Sequence, residues 1–371
     1  MLYTLKIKLH PTQEQSDALL ETMQHFNAAC NFISQYAFEH KVFSKIQIQK
    51  DIYYRIREDF GLSAQMAVRA IGKVAEAYKN KKHRETLNQF RKHGAIVYDQ
   101  RILTVKTLDT VSILTLQGRI EVAMSICNYH SQIINGNRVR GQADLAYIDG
   151  MFYLFLVVDS PDEPERVSHE YLGVDLGIVK IATTSDGRFF SGAKVKNIRK
   201  RNFKLRKKLQ SKGTKSAKRL LKKRRRKEAR FATDVNHRIS KRLVAIARDT
   251  GRSLALEDLR GIRKRTAKPK KDSNQKTVCK TMRQELSSWS FYQLRQFIAY
   301  KAKAAGVQVI FVDPRNTSRT CPVCGHVAKE NRRSQEEFVC VNCGHTANAD
   351  INAAVNIARR AAVIQPDAEA V

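Results

Sequence analysis

The sequence predicts an α+β chain of several domains: a small β-barrel with a helical insertion, then an α/β unit carrying an inserted four-cysteine ribbon. Three observations lead there. Helical periodicity over about residues 11–93 gives way to short β-rich runs over 95–160. Beyond residue 165, apolar strands ending at Asp175, Glu257 and Asp313 are separated by helical patterns. Two Cys-x-x-Cys-Gly knuckles follow, Cys321 with Cys324 and Cys340 with Cys343. At 371 residues the chain can bury a sizeable core, and its length suggests two or three domains.

In chain order, Tyr3, Leu5, Ile7 and Leu9 alternate with Thr4, Lys6 and Lys8, the pattern of a half-buried strand over Leu2–His10. Thr12 with Gln15 forms a capping box for a helix whose apolar stripe is Leu19, Met23, Phe26, Cys30 and Ile33. A second helix is expected over about Ile46–Phe60, stopped by Gly61. A third begins at Ser63 and buries Met66, Ala70, Val74 and Tyr78. Its other side carries Gln65, Arg69, Lys73 and Lys79, which read as either a solvated face or phosphate contacts. The runs Ala95–Tyr98, Ile102–Val105, Val111–Leu116, Ala143–Ile148 and Met151–Val158 read as antiparallel strands, with a hairpin turn at Asp149-Gly150. The first strand completes this barrel, and the helices are inserted in it. Pro161-Asp-Glu-Pro164 marks the main domain boundary.

The next run, Tyr171 to Phe190, reads as three short strands joined by glycine-marked turns. Asp175 lies inside the first, between Val174 and Leu176, where a charge is costly unless something binds it. Residues 194–230 hold twenty Lys or Arg and one Glu, too dense for an ordinary solvated face. Arg201, Lys208 and Arg224 are nucleic-acid-contact candidates within this run. An amphipathic helix over 233–249, capped by Thr233 or Asp234, precedes the strand Ser253–Glu257. A basic loop over Lys264–Lys280 leads to an aromatic helix with Leu286, Trp289, Phe291, Tyr292, Leu294, Phe297 and Ile298. Val307–Val312 is the last strand before the cysteines.

A formal charge of +33 and a pI near 10.1 exceed what solubility needs and attract polyanions. No stretch approaches the roughly twenty apolar residues of a spanning helix, and the opening Met-Leu-Tyr-Thr-Leu-Lys is strand-like. A cytoplasmic nucleic-acid binder without a membrane partner is therefore expected. Cys30, Cys127 and Cys279 are scattered and read as buried or incidental thiols.

The knuckles have the spacing of a zinc ribbon, with fifteen residues between the pairs and a glycine after each second cysteine. Four thiolates complete a Zn²⁺ site, so His326 and His345 are read as bystanders. The second chemistry is spread out. Asp175 and Glu257 end apolar strands, and Asp350 opens the apolar helical run Ile351, Ala354, Val355, Ile357 and Ala358, where an Asp also serves as an N-cap. The order of strands, helices and acids follows the logic of an RNase H-like nuclease. Such sites hydrolyse phosphodiesters with two divalent ions roughly 4 Å apart, and carboxylates supply the hard oxygen ligands for Mg²⁺ or Mn²⁺.

Gly173-Val-Asp175-Leu-Gly177, Leu254-Ala-Leu-Glu257-Asp-Leu259, Asp313-Pro-x-x-Thr-Ser-x-x-Cys321-x-x-Cys324-Gly325 and Asn348-Ala-Asp350-x-Asn-Ala-Ala-x-Asn-Ile357 resemble the three RuvC motifs and zinc ribbon of the TnpB family. These proteins are encoded by bacterial insertion sequences and are related to type V CRISPR effector nucleases. The resemblance is specific over residues 171–360 and looser over the first 160. It implies an RNA-guided DNA endonuclease of the bacterial or archaeal cytoplasm, working as a monomeric ribonucleoprotein. Its guide RNA would come from the transposon end and its target would be double-stranded DNA beside a short motif. Asp175, Glu257 and Asp350 would bind Mg²⁺ or Mn²⁺, and Cys321, Cys324, Cys340 and Cys343 would hold Zn²⁺.

The implied domains are a β-barrel wedge (1–10 and 94–160), a helical recognition insertion (11–93), a linker (161–165) and a RuvC-like nuclease domain (166–371) with the ribbon at 314–347. The helix from Ser63, through Gln65, Arg69 and Lys73, is the candidate for flank contacts. Arg315 and Arg319 either hold the scissile phosphate or face solvent. Two other readings remain open: a nuclease-inactive RNA-guided repressor, and a transposase acting without RNA.

Overall fold

The computed structural model describes residues 1–259 and 290–364, divided into two compact units, Met1–Pro161 and Asp162 onward. The basic loop expected over Lys264–Lys280, together with Leu286, Trp289 and Cys279, lies outside the described residues.

In the first unit, β1 (Leu2–His10) is followed by α1 (Gln13–Glu39), α2 (Lys45–Phe60) and α3 (Ala64–Ala77). Thr12 and Gln15 form the capping box of α1, Gly61 ends α2 in the left-handed region at φ 63°, and Ser63 caps α3. The strands β2 (Ile96–Asp99), β3 (Leu103–Val105), β4 (Thr110–Thr115), β5 (Gly118–Ser125), β6 (Arg138–Ile148) and β7 (Met151–Asp159) join β1 in a seven-stranded antiparallel sheet ordered β2-β6-β7-β1-β5-β4-β3. The sheet is a nearly closed barrel: the Tyr98 hydroxyl of edge strand β2 donates to Leu114 O of β4 (3.2 Å), the neighbour of the other edge, β3. Asp149 and Gly150 both take positive φ, 56° and 81°, as a tight two-residue hairpin requires. Strand β5 and a short helix, α4 (Asn128–Ile134), were not anticipated. In β5 only Val122 and Met124 are buried, and Arg119 and Glu121 between its apolar positions face solvent.

The second unit is built on a five-stranded sheet ordered β10-β9-β8-β11-β12, comprising β8 (Tyr171–Asp175), β9 (Lys180–Thr184), β10 (Phe189–Ser191), β11 (Ser253–Glu257) and β12 (Val309–Val312). Strands β8, β11 and β12 run parallel, and β9 and β10 complete an antiparallel meander. Between β10 and β11 stand α5 (Ala193–Lys212) and α6 (Lys215–Asp249). The separate helix expected over 233–249 is instead the second half of α6. No glycine or proline interrupts residues 215–249, so the basic run continues into the amphipathic stretch. Thr233 accepts from Gln293, and Asp234 pairs with Arg238 one turn on (2.7 Å), so neither is a cap. The chain continues through α7 (Phe291–Ala304), the ribbon hairpin β13 (Glu337–Val339) and β14 (Thr346–Asn348), and α8 (Ala349–Ile364).

The two faces of this sheet bury different partners. Leu172, Val174, Leu254 and Leu256 pack with Val235, Ile239 and Leu243 of α6 and Leu294 and Ile298 of α7. Tyr171, Ala255 and Val312 point the other way, against Ile357 and Ala361 of α8. Gly173 allows that second contact: a Cβ there would lie 1.9 Å from Ala354 O and 2.8 Å from Ala358 N. Helix α8 is thereby laid directly on β8.

Candidate functional site

Strands β8 and β11 pair in parallel register, Val174 opposite Leu256, so the next residues, Asp175 and Glu257, lie side by side at adjacent carboxyl ends. Both fall on the face shared with Gly173 and Ala255, which α8 covers. Asp350 enters from the first turn of α8. It is not the cap: Asn348 Oδ1 accepts from Asp350 N (3.1 Å) and Ile351 N (3.4 Å), leaving the Asp350 carboxylate for the site.

Asp175 senses the other two acids. Burial, then the charges of Glu257 and Asp350, push the Asp175 carboxyl up to about 7. Burial likewise raises Glu257, opposed by the Thr317 hydroxyl hydrogen-bonded to its Oε1 and by the charge of Arg360. Asp350 is held between Lys180 Nζ (3.3 Å) and Arg332 Nη2 (3.4 Å). Asp175 and Glu257 are buried carboxyls whose surroundings disfavour the charged form, hard oxygen donors that a divalent cation would help to ionise.

Sequence reasoning did not single out Lys180, Arg332 or Thr317 for this site, nor Asn352 and Asn356 of α8. The two asparagines were visible as a polar pair at helical spacing on an otherwise apolar stripe. Both are buried, and they hold the 313–320 turn: Asn356 Nδ2 donates to Thr317 O (2.8 Å) and Thr320 O (2.7 Å), and Asn352 Nδ2 to Thr320 O (3.1 Å).

The cysteines converge independently. Their four Sγ atoms lie within 4.8 Å of one another, with Cys321–Cys343 and Cys324–Cys340 separations of 3.6 Å. Tetrahedral Zn²⁺ with bonds near 2.3 Å sets its sulfurs roughly 3.8 Å apart, so the set fits that ion. The His326 and His345 carbonyls close the knuckles by accepting from Cys321 N (2.9 Å) and Cys340 N (2.8 Å).

The basic candidates divide by environment. Arg201, Lys208, Arg315 and Arg319 are exposed. Arg224 is half-buried between α5 and α6, donating to Asn202 Oδ1 (2.8 Å). Arg69 Nη2 meets Asp99 at 2.6 Å, and Gln65 hydrogen-bonds the same carboxylate. These two line a polar cavity of about 600 Å³ with Lys45, Gln49, Arg101 and Gln142. Lys73 is turned inward, donating to Asn27 Oδ1 (2.9 Å) and Ala95 O (2.6 Å), so its ammonium is already engaged by the fold.

Comparison with known proteins matches residues 155–261 to a family described as probable transposase (OrfB_IS605) and residues 291–357 to the Cas12f1-like TNB domain. A putative RNA-guided DNA endonuclease, InsQ, of Escherichia coli K12 is 32% identical over 220 residues, 56% of this chain and 53% of that protein. A TnpB-like protein of Methanocaldococcus jannaschii is 34% identical over 164 residues, 44% of this chain and 55% of that one. The matched segments resemble those of the TnpB family. A CRISPR-associated endodeoxyribonuclease Cas12f1 of Sulfoacidibacillus thermotolerans is 40% identical over 133 residues, 36% of this chain and 28% of that relative. The chain thus spans about half or less of the length of these curated relatives.

Among solved structures, Cas12f1 in a complex with sgRNA and target DNA superposes with a TM-score of 0.65 at 16% identity, covering 94% of this chain and 83% of that one. The mini-RNA-guided endonuclease CRISPR-Cas_phi3 gives 0.58 at 12% identity, covering 99% and 93%. At these identities the likeness establishes a shared fold. Among the described residues, no helix is long and apolar enough to cross a membrane.

Proposed function

We propose that this chain is a TnpB-family RNA-guided DNA endonuclease of an insertion sequence, cutting double-stranded DNA at a RuvC-like site made by Asp175, Glu257 and Asp350. The observation that carries the reading is the convergence of these three acids from two adjacent strand ends and the first turn of α8, with the Asp175 carboxyl raised to about 7. The chain's named relatives, an RNA-guided DNA endonuclease and an endodeoxyribonuclease among them, support it. On this reading residues 1–10 and 94–160 are the wedge, 11–93 the recognition insertion, and 166–371 the nuclease domain with its ribbon at 314–347.

The three carboxylates would hold Mg²⁺ or Mn²⁺, which supplies Lewis acidity and a water of lowered pKa for phosphodiester hydrolysis. The chain's own part is placement. Strands β8 and β11 fix two donors in register, and α8, set close by Gly173, presents the third. Lys180 and Arg332 balance charge on the Asp350 side, and exposed Arg315 and Arg319 stand ready for backbone phosphates. The four cysteines would hold Zn²⁺ to fold the ribbon. The exposed cations of α5 and α6 would neutralise phosphates of guide RNA and heteroduplex in a cytoplasmic, monomeric ribonucleoprotein.

The test is expression with the native flanking DNA, extraction and sequencing of bound nucleic acid, and reprogramming of its variable end against a plasmid with a randomised flank. Guide-dependent and Mg²⁺-dependent double-strand breaks are expected. Bound RNA without cleavage would favour a guided repressor, and no bound RNA would overturn both.

A further inference from the structure

Glu257 ends its strand with a carboxylate that burial disfavours, and a side chain ending in three rotatable bonds needs something to hold it. Thr317, only 3% exposed, meets it: its hydroxyl hydrogen-bonds Glu257 Oε1. A threonine hydroxyl has one proton and two acceptors here, the carboxylate and Pro314 O at 3.2 Å. The charge-assisted bond to the carboxylate is the stronger.

Thr317 is itself fixed from behind. One face of α8, at residues 352, 356 and 360, staples the turn that carries it. Asn352 reaches Thr320 O, Asn356 reaches Thr317 O and Thr320 O, and Arg360 Nη1 reaches Asp313 O (2.7 Å). The same helix begins with Asp350. Two carboxylates therefore take their positions from one helix, Asp350 covalently and Glu257 through the relay Asn356 to Thr317.

Resting on the nuclease reading above, we propose that Thr317 is a positioning residue for Glu257, relayed from α8 by Asn356, which sets that carboxylate for divalent-metal binding without itself touching metal or DNA. Removing the hydroxyl leaves the donor set chemically complete but frees one member. Partners that orient metal ligands commonly cost 10–100-fold in metal affinity or activity when lost.

The test compares wild type with Thr317→Val, which keeps the shape and removes the hydroxyl, and Thr317→Ser, which keeps the hydroxyl and removes the methyl. Each guide-loaded protein is measured for Mn²⁺ affinity by electron paramagnetic resonance, for single-turnover cleavage against Mn²⁺ concentration, for zinc content and for melting temperature. Thr317→Val is expected to weaken Mn²⁺ binding and slow cleavage at limiting Mn²⁺ by about 10–100-fold. Saturating Mn²⁺ should recover part of that rate, and zinc content should stay at wild type. Thr317→Ser should lie near wild type in both readouts. Thr317→Val with unaltered Mn²⁺ affinity overturns the proposal, as does Thr317→Ser failing as badly as Thr317→Val, because packing of the methyl would then be the cause. Loss of zinc or a collapse in melting temperature in Thr317→Val alongside intact Mn²⁺ response in Thr317→Ser is read on the serine variant, whose normal affinity supports the hydroxyl. A wild-type protein that neither binds Mn²⁺ nor cuts overturns the nuclease reading together with this one.

Discussion

The cysteine cluster and the acid cluster both gather donors from separate turns of chain, yet they are assembled on different scales. The four thiolates come from residues 321–343, and each knuckle closes on its own backbone, Gly325 N to Cys321 O (3.0 Å) and Gly344 N to Cys340 O (2.9 Å). Gly325 and Gly344 both take φ 74°, the left-handed conformation that each turn requires. The acids come from positions 175, 257 and 350 and meet only through strand register, a glycine that admits a helix and an asparagine that caps it. A local site carries its geometry with it, whereas a distributed site is only as accurate as the sheet beneath it. The two should therefore fail separately, and each of the following substitutions tests that separation.

The largest effect is expected at the acids. Asp175→Ala, Glu257→Ala or Asp350→Ala should reduce guided cleavage by roughly 10³-fold or more, the loss of several kcal/mol of transition-state stabilisation. Target binding and zinc content should stay at wild type. Retained cutting in any one variant removes that residue from the site. Cys321→Ser comes next: structural zinc is worth about 10–16 kcal/mol to small ribbons, so zinc should be lost and residues 314–347 should lose hydrogen-exchange protection. Protection across β8 and β11 should persist. If those strands open as well, the two clusters are not independent.

Gly173→Ala attacks the other side. The new Cβ meets helix backbone at 1.9 Å, which no rotamer change relieves, so α8 must move off β8. Overpacking of this kind costs about 1–3 kcal/mol, read as a lowered melting temperature. Cleavage should fall with it as Asp350 is displaced, while zinc stoichiometry holds.

The same contrast of scale governs what was legible in the sequence. The knuckles, the α1 capping box, the Gly61 stop and the Asp149-Gly150 turn are short-range features, and the residues that form them are neighbours. Strand β5 carries its own local signal, Ile120, Val122 and Met124 alternating with Arg119, Glu121 and Ala123 as the apolar residues of β1 alternate, so nothing physical hid it. The break expected before residue 233 failed for a physical reason: Thr233 and Asp234 resemble a cap locally, but their partners, Gln293 on α7 and Arg238 one turn on in α6, are available only in the folded unit. At the acids, position in the chain suggested the cluster, but the contacts that set it, Asn348 as the true cap and Thr317 on Glu257, are tertiary. Lys73 shows the limit most directly. On a helical wheel it belongs to a basic face, and in the fold its ammonium is enclosed by Asn27 and Ala95, its pKa lowered by burial.

The smallest expected effect separates cations that face solvent from cations that hold the fold. Arg201 and Arg224 belong to the same basic run, but Arg201 is exposed on α5 and Arg224 bridges from α6 to Asn202. Arg201→Ala should leave the melting temperature unchanged, weaken nucleic-acid binding at low salt and reduce the slope of log affinity against log salt by about 1, the signature of one phosphate contact. Arg224→Ala should do the reverse: it leaves the salt slope within error and removes an interhelical hydrogen bond worth roughly 1–3 kcal/mol, because the Asn202 carbonyl loses its charged donor. Titration of both variants across a salt series, beside their melting curves, checks the pair. Equal salt slopes for the two would mean that the α5–α6 pair opens on binding and that burial in the free protein does not decide which of its cations reach phosphate.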